Sequence, residues 1–242
     1  MSKIGALIFG FNEYSLEIAN NIGHKFGEIE IFSMSGAKEA LEKEFAYPIN
    51  RFDLSEDWGD LNERFDMEKS TAFCTLDDTA ENIFLTISLR SSFKNLIIIA
   101  IAQNKESADK LSLAGANKVI PLVQTTSAMI ADMLDKPVIT EVLHNILYEK
   151  SSLKIAQIRV DKDDYFDGKY PTDIEWSREH GVIVLSVMHE DMSSEFIYSS
   201  KAKHHAIKNG DIFVVVGYER DIEEFEKLIG SRCDVSWSHW SR

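Results

Sequence analysis

The stretch Ile4-Gly5-Ala6-Leu7-Ile8-Phe9-Gly10-Phe11-Asn12-Glu13-Tyr14-Ser15 decides the fold. A nearly continuous apolar run ends at a glycine, and a helical pattern starts at once behind it, followed by a second apolar run near residue 28. A strand buried on both faces reads this way, and the strand-turn-helix unit opens a doubly wound sheet that binds nucleotides at its first turn. The usual loop is G-x-G-x-x-G: one glycine for the turn, one for close approach of backbone to a pyrophosphate, one for helix-on-strand packing. Here Gly10 stands in the first place, while Asn12 and Ser15 stand in the other two. The scaffold is legible and the dinucleotide signature is weak, which points to a sensor built on the fold.

Outward from that stretch, strands are expected at 4–10, 28–33, 47–52, 71–76, 95–102 and 117–120, and helices at 13–25, 36–45, 57–65, 78–92, 104–114 and 124–134. Such alternation implies a parallel sheet with helices on both faces and a ligand crevice at the carboxyl ends of strands 1 and 4. Two helical stretches in tandem, 127–134 and 138–148, form a connector. Beyond it, strand patterns at 153–160, 182–188, 194–198 and 211–217, the turn pairs 167–168, 180–181 and 209–210, and an acidic helix over 220–229 describe a smaller α+β module. The expected domains are 1–135, a connector or dimerisation helix at 136–150, and 151–242.

Composition narrows the function classes. Net charge is −14, with 40 acidic against 26 basic residues, which opposes binding to nucleic acid or to an anionic membrane. The longest apolar run, 96–102, is the length of a buried strand, far short of a bilayer span. Met1-Ser2-Lys3 leads directly into a strand, so a signal peptide is not expected. Cys74 and Cys233 are too far apart in sequence for a metal knuckle and too few for a disulfide framework, which suits a reducing cytoplasm.

Four segments carry a family resemblance: residues 7–17; Leu76-Asp77-Asp78-Thr79-Ala80-Glu81-Asn82; Lys110-Leu111-Ser112-Leu113-Ala114-Gly115-Ala116-Asn117-Lys118-Val119-Ile120-Pro121; and Ile207-Lys208-Asn209-Gly210-Asp211-Ile212-Phe213-Val214-Val215-Val216-Gly217. Together they resemble the RCK proteins (regulators of potassium conductance), which join a TrkA-N to a TrkA-C domain. The resemblance implies an α/β, Rossmann-like parallel sheet followed by a small α+β TrkA-C domain. It also implies a cytoplasmic, non-enzymatic regulator at the inner face of the membrane. A potassium channel or transporter pore subunit would be its partner, and a homodimer built into a ring its assembly. The competing class is an NAD(P)- or nucleotide-dependent oxidoreductase on the same sheet, which would require an intact pyrophosphate loop and an acid or base over the nicotinamide.

The candidate ligand-contacting residues are Gly10, Phe11, Asn12, Glu13, Tyr14, Ser15, Ser33, Thr75 and Asp77, with an adenine nucleotide or a divalent cation as the ligand classes. Helix amides at 12–15 favour an anion. Glu13 opposes one, and strand 2 ends in Ile31-Phe32-Ser33-Met34-Ser35 without a carboxylate for a ribose diol. The calcium ligands that the resemblance places after strands 4 and 5 fall on Thr75, Ile101 and Gln103, and an isoleucine offers no oxygen. Asp77, Asp78 and Glu81 suit capping of the following helix better than metal binding. Adjacent His204 and His205 point to opposite sides of an extended chain, and Asp161-Lys162-Asp163-Asp164 suits a solvated surface. No catalytic motif is present. The stripe Met129, Ile130, Met133, Leu134, Val138, Val142, Leu143, Ile146 and Leu147 exceeds what a linker needs and suits subunit packing.

Overall fold

The protein is described from a computed structural model, in which residues 3–34, 46–55, 58–147, 152–166, 168–189, 194–197 and 206–232 are described. It divides into two compact units, residues 1–131 and 132–235.

In the first unit, β1 (Gly5–Phe9), β2 (Glu28–Met34), β3 (Ile49–Phe52), β4 (Thr71–Cys74), β5 (Ile97–Ala102) and β6 (Lys118–Pro121) form one parallel sheet. Its order is β3-β2-β1-β4-β5-β6. Strand direction is set by the helical crossovers: α1 (Glu13–Ile22), α2 (Gly59–Arg64), α3 (Thr79–Ser92) and α4 (Lys105–Leu113) return the chain to the same edge each time. The order reverses at β1, between β2 and β4, which places the crevice where the sequence locates it. All five residues of β1 are buried. Alternate side chains feed two cores. Leu7 and Phe9 pack with Phe32, Phe52, Trp58, Leu85 and Ile98 on one face. Ala6 and Ile8 pack with Ala19, Ile31 and Phe73 under α1 on the other. The rings of Phe9 and Phe32 stack at 4.7 Å, and Phe52 and Trp58 meet Phe9 edge-on.

Several sequence expectations shift at their ends. Helix α1 stops at Ile22 rather than at 25, with Gly23 as its C-cap, and β4 stops at Cys74 rather than at 76. The helix expected at 36–45 lies outside the described residues, as do His204, His205 and Cys233. The connector consists of α5 (Leu122–Asp135) and α6 (Pro137–Leu147), and Pro137 occupies the first turn of α6.

In the second unit, β7 (Leu153–Val160), β8 (Val182–Met188), β9 (Ser194–Phe196), β10 (Ile212–Tyr218) and β11 (Gly230–Arg232) form an antiparallel sheet of order β11-β7-β10-β8-β9. Its core joins Ile158, Val160, Val184, Phe213 and Val215 to Ile222, Phe225 and Ile229 of α8 (Glu219–Ile229). Two features have no counterpart in the sequence reading. The short α7 (Trp176–His180) ends at Gly181, whose φ of 69° is left-handed, and Trp176 donates from Nε1 to the Pro171 carbonyl at 2.8 Å. The three-residue β11 has little sequence signal of its own and exists by pairing with β7.

Candidate functional site

The crevice is built by the carboxyl ends of β2, β1 and β4. Backbone bonds from Gly10 to the Phe32 carbonyl and from Thr75 to the Phe9 carbonyl, both 2.8 Å, carry the sheet one residue past its strands. Gly10 has φ +130°, and a Cβ there would lie 2.5 Å from Thr75 Oγ1 and 2.9 Å from the Thr75 carbonyl oxygen. The backbone itself therefore demands glycine. Thr75 is buried, and its hydroxyl donates to the Phe9 carbonyl at 2.9 Å.

Asn12 stands where close approach of a phosphate would call for glycine, in ordinary extended conformation (φ −146°, ψ −178°). No conformational demand for glycine exists at this position, so a side chain is free to occupy it. That side chain works in two directions. Its Oδ1 accepts the Ser15 amide at 3.1 Å, while the Ser15 hydroxyl accepts the Asn12 amide at 2.8 Å, a reciprocal cap on α1. Its Nδ2 donates to the Thr75 carbonyl at 2.6 Å and to Asp77 Oδ1 at 2.9 Å. The β1–α1 loop is thereby clasped to the β4–α3 loop across the crevice.

The remaining candidates have distinct environments. Ser15 is fully buried and small enough for α1 to lie close to the sheet. Phe11 is half-buried and packs on the core beneath α1. Glu13 and Tyr14 are exposed on the first turn. Ser33 is buried at the end of β2. Asp77 is the acceptor of the clasp, whereas Asp78 caps α3, taking the amides of Ala80 and Glu81 at 2.8 and 3.0 Å. The structure thus draws Asn12, Ser15, Thr75 and Asp77 into one bonded network with Gly10 packed against Thr75, and leaves Glu13 and Tyr14 facing solvent.

Two polar arrangements escaped the sequence reading. Asn82, 2% exposed, donates from Nδ2 to the carbonyls of Cys74 and Ile101 at 3.3 and 3.0 Å and accepts the Leu76 amide at 3.3 Å, tying together the ends of β4 and β5. A polar residue one turn into an otherwise apolar helix face was its only signal. Glu30, a carboxylate within the apolar run of β2, is buried beside Asn50, which donates to it at 2.7 Å, and Arg64, which pairs with it. Asn50 and Arg64 border a depression of about 440 Å³ that is also lined by Arg51, Trp58 and Asp60.

Electrostatics add no reactive group to the crevice. Burial pushes the Cys74 thiol up to about 12, so this sulfur is a protonated core atom. Among the described residues no cluster of three or more His, Cys, Asp or Glu side chains is arranged to hold a metal ion.

Parts of this chain are similar to known proteins. Residues 6–122 match the TrkA-N domain. Two curated relatives come from Methanocaldococcus jannaschii. The chain is 27% identical over 161 residues to a protein described as probable potassium channel protein 2, covering 64% of this chain and 46% of the relative. It is 25% identical over 193 residues to potassium channel protein 1, covering 79% of this chain and 56% of the relative. The chain thus spans about half the length of the curated relatives it matches. Among solved structures, the human SLO3 gating ring superposes with a TM-score of 0.63 at 12% identity, over 93% of this chain and 45% of that one, which establishes a shared fold. Among the described residues no helix is long and apolar enough to cross a membrane.

Proposed function

We propose that this chain is a cytoplasmic regulatory element of a potassium channel or transporter, with residues 151–242 serving as a TrkA-C-like domain. The observation that carries the reading is the TrkA-N match together with two relatives described as potassium channel proteins, over a crevice closed by the chain's own side chain. Regulation operates by population shift. A ligand at the crevice formed by Gly10–Ser15, Ser33, Thr75 and Asp77 biases one arrangement of the assembly over another by its differential affinity for the two.

Assembly uses helix α6. Val138, Ile139, Val142 and Leu143 are all exposed, Val138 by 75% of its surface, and a helix with such a face is stabilised by an apolar partner. Isologous pairing of two copies supplies one, with residues 136–150 as the dimerisation element. The oxidoreductase alternative is disfavoured by the Asn12 clasp, by Ser33 where a dehydrogenase presents a ribose-binding carboxylate, and by the protonated Cys74.

The test is co-reconstitution of the full chain with a potassium pore subunit in vesicles, with potassium flux recorded with and without it. Flux that depends on the chain, and that weakens when Val142→Asp and Leu143→Asp abolish its self-association, is the expected result. Flux indifferent to its presence, across adenine nucleotides and divalent cations, overturns the proposal.

A further inference from the structure

We infer that Asn12 is the specificity-determining residue of the crevice: its carboxamide clasp to the Thr75 carbonyl and Asp77 excludes ligands that carry a diphosphate. The inference deepens the assignment of the crevice as the ligand-facing site.

The backbone of this loop needs glycine at one position and not at the other. At Gly10 a side chain would collide with Thr75 in any ligation state, so this glycine serves the fold. At position 12 the conformation is extended and open to any residue, and a glycine there would serve only a ligand, by letting phosphate oxygens reach the amides at the start of α1. The chain fills that space with four hydrogen-bonding roles of one residue. Its backbone amide and Oδ1 are engaged by Ser15, and its Nδ2 is shared by Thr75 and Asp77. Two of the amides that would greet an anion, those of Asn12 and Ser15, are already bonded. The carboxylate of Asp77 accepts from Asn12 Nδ2 at 2.9 Å, which adds negative charge at the mouth. A diphosphate must break the clasp, take over the amides and tolerate Asp77 and Glu13 nearby. A ligand without a diphosphate escapes most of that penalty.

Helix α4 provides an internal control. Asn104 and Ser107 form the same reciprocal cap, with the Ser107 amide 2.9 Å from Asn104 Oδ1. The bonds of Asn104 stay within its own turn, whereas Asn12 adds two bonds across the crevice. Capping thus accounts for one half of the Asn12 side chain, and the other half is what closes the site.

The experiment titrates the full chain with ADP, NADH and adenosine by calorimetry, for the natural sequence, Asn12→Gly and Asn12→Ser. Serine retains a capping oxygen but lacks an amide that reaches Thr75, so it decides the matter should the glycine variant fail to fold. The expected result is ADP and NADH affinity at least about tenfold higher in both variants, adenosine unchanged, and no gain in Asn104→Gly. ADP bound equally well by the natural chain and the variants overturns the inference, as does an equal gain for adenosine, which would mean general loosening. Flux indifferent to the chain in reconstitution, with the expected affinity pattern observed, would count against the regulatory proposal and leave the clasp standing.

Discussion

Helices α1 and α4 start with the same Asn-x-x-Ser box, at Asn12–Ser15 and Asn104–Ser107, and each follows a buried parallel strand. Locally they are nearly superimposable: asparagine in extended conformation (φ −146° and −148°), serine at the third helical position, both amides reciprocally capped. They differ in what lies opposite. Asn12 faces the point where strand order reverses, and its spare amide finds the Thr75 carbonyl and Asp77 across the crevice. Asn104, between β5 and α4, sits away from that reversal. One local motif therefore caps a helix in one place, and in the other both caps a helix and closes a site. The lesson is that a residue's functional consequence comes from its neighbours across the sheet and cannot be taken from its own turn.

The comparison is broken most severely at the glycines next to each helix. Gly10→Ala combines a left-handed φ with collision against Thr75 backbone, and is expected to cost about 3 kcal/mol or more in urea unfolding. Gly115→Ala, at the end of α4, also has positive φ (+104°), but meets side-chain rather than backbone atoms, Arg90 Cγ at 2.6 Å, whose displacement would disturb the bonds of Arg90 to the Gly115, Phe93 and Lys94 carbonyls and to Asn117. About 2 kcal/mol is expected there. Equal costs would show that the crevice backbone is no more constrained than an ordinary helix end.

Next in size is the pair of cap removals. Asn104→Ala should lose about 1 kcal/mol, the usual worth of an N-cap. Asn12→Ala should lose about 2–3 kcal/mol, since it also abandons the Thr75 carbonyl and Asp77. A double-mutant cycle with Asp77→Ala isolates the clasp, and a coupling energy near zero would mean that the contact contributes nothing. Asn12→Ser, which preserves the cap alone, should fall between the natural chain and Asn12→Ala in the same measurement.

The smallest expected effect sharpens the contrast by charge. In α4, Glu106 in the first turn accepts from Lys110 at 2.7 Å, and this bond holds its carboxyl below the ordinary value of 4.5. A carboxyl depressed in the folded state contributes stability that is present above its unfolded pKa and lost as pH falls through the folded value. The protection factors of the α4 amides, taken relative to intrinsic exchange at each pH, should therefore fall below about pH 4.5, slightly and in the natural chain only, with those of Glu106→Gln flat over that window. In α1, whose last turn has no basic residue, no matching response is expected.

Much of the fold was legible because its signals are local and redundant. The buried run before Gly10, the helix stripe behind it and the repetition of both pointed to a doubly wound parallel sheet with its crevice at strands 1 and 4, and β1 to β6 follow that alternation. Element ends were less legible where the boundary depends on pairing: β4 ends at Cys74, although the Thr75 amide still bonds the Phe9 carbonyl. In the second unit, α7 and β11 left little trace, the one because five residues carry too short a period and the other because Gly230–Arg232 becomes a strand only beside β7. Within the crevice, sequence alone identified Asn12 as an obstacle to phosphate but did not reveal what it binds. The partners Thr75 and Asp77 lie 63 and 65 residues away.

By itself, then, the order of residues determined which segments are buried, where the chain turns and that a phosphate loop is incomplete, since periodicity and glycine requirements are properties of a few neighbouring residues. Only the tertiary structure decided that the incomplete loop is also a bonded one. The direction of the Asn12 amide is set by strands brought side by side through distant contacts, and hydrogen bonds of about 3 Å have no expression in a one-dimensional pattern.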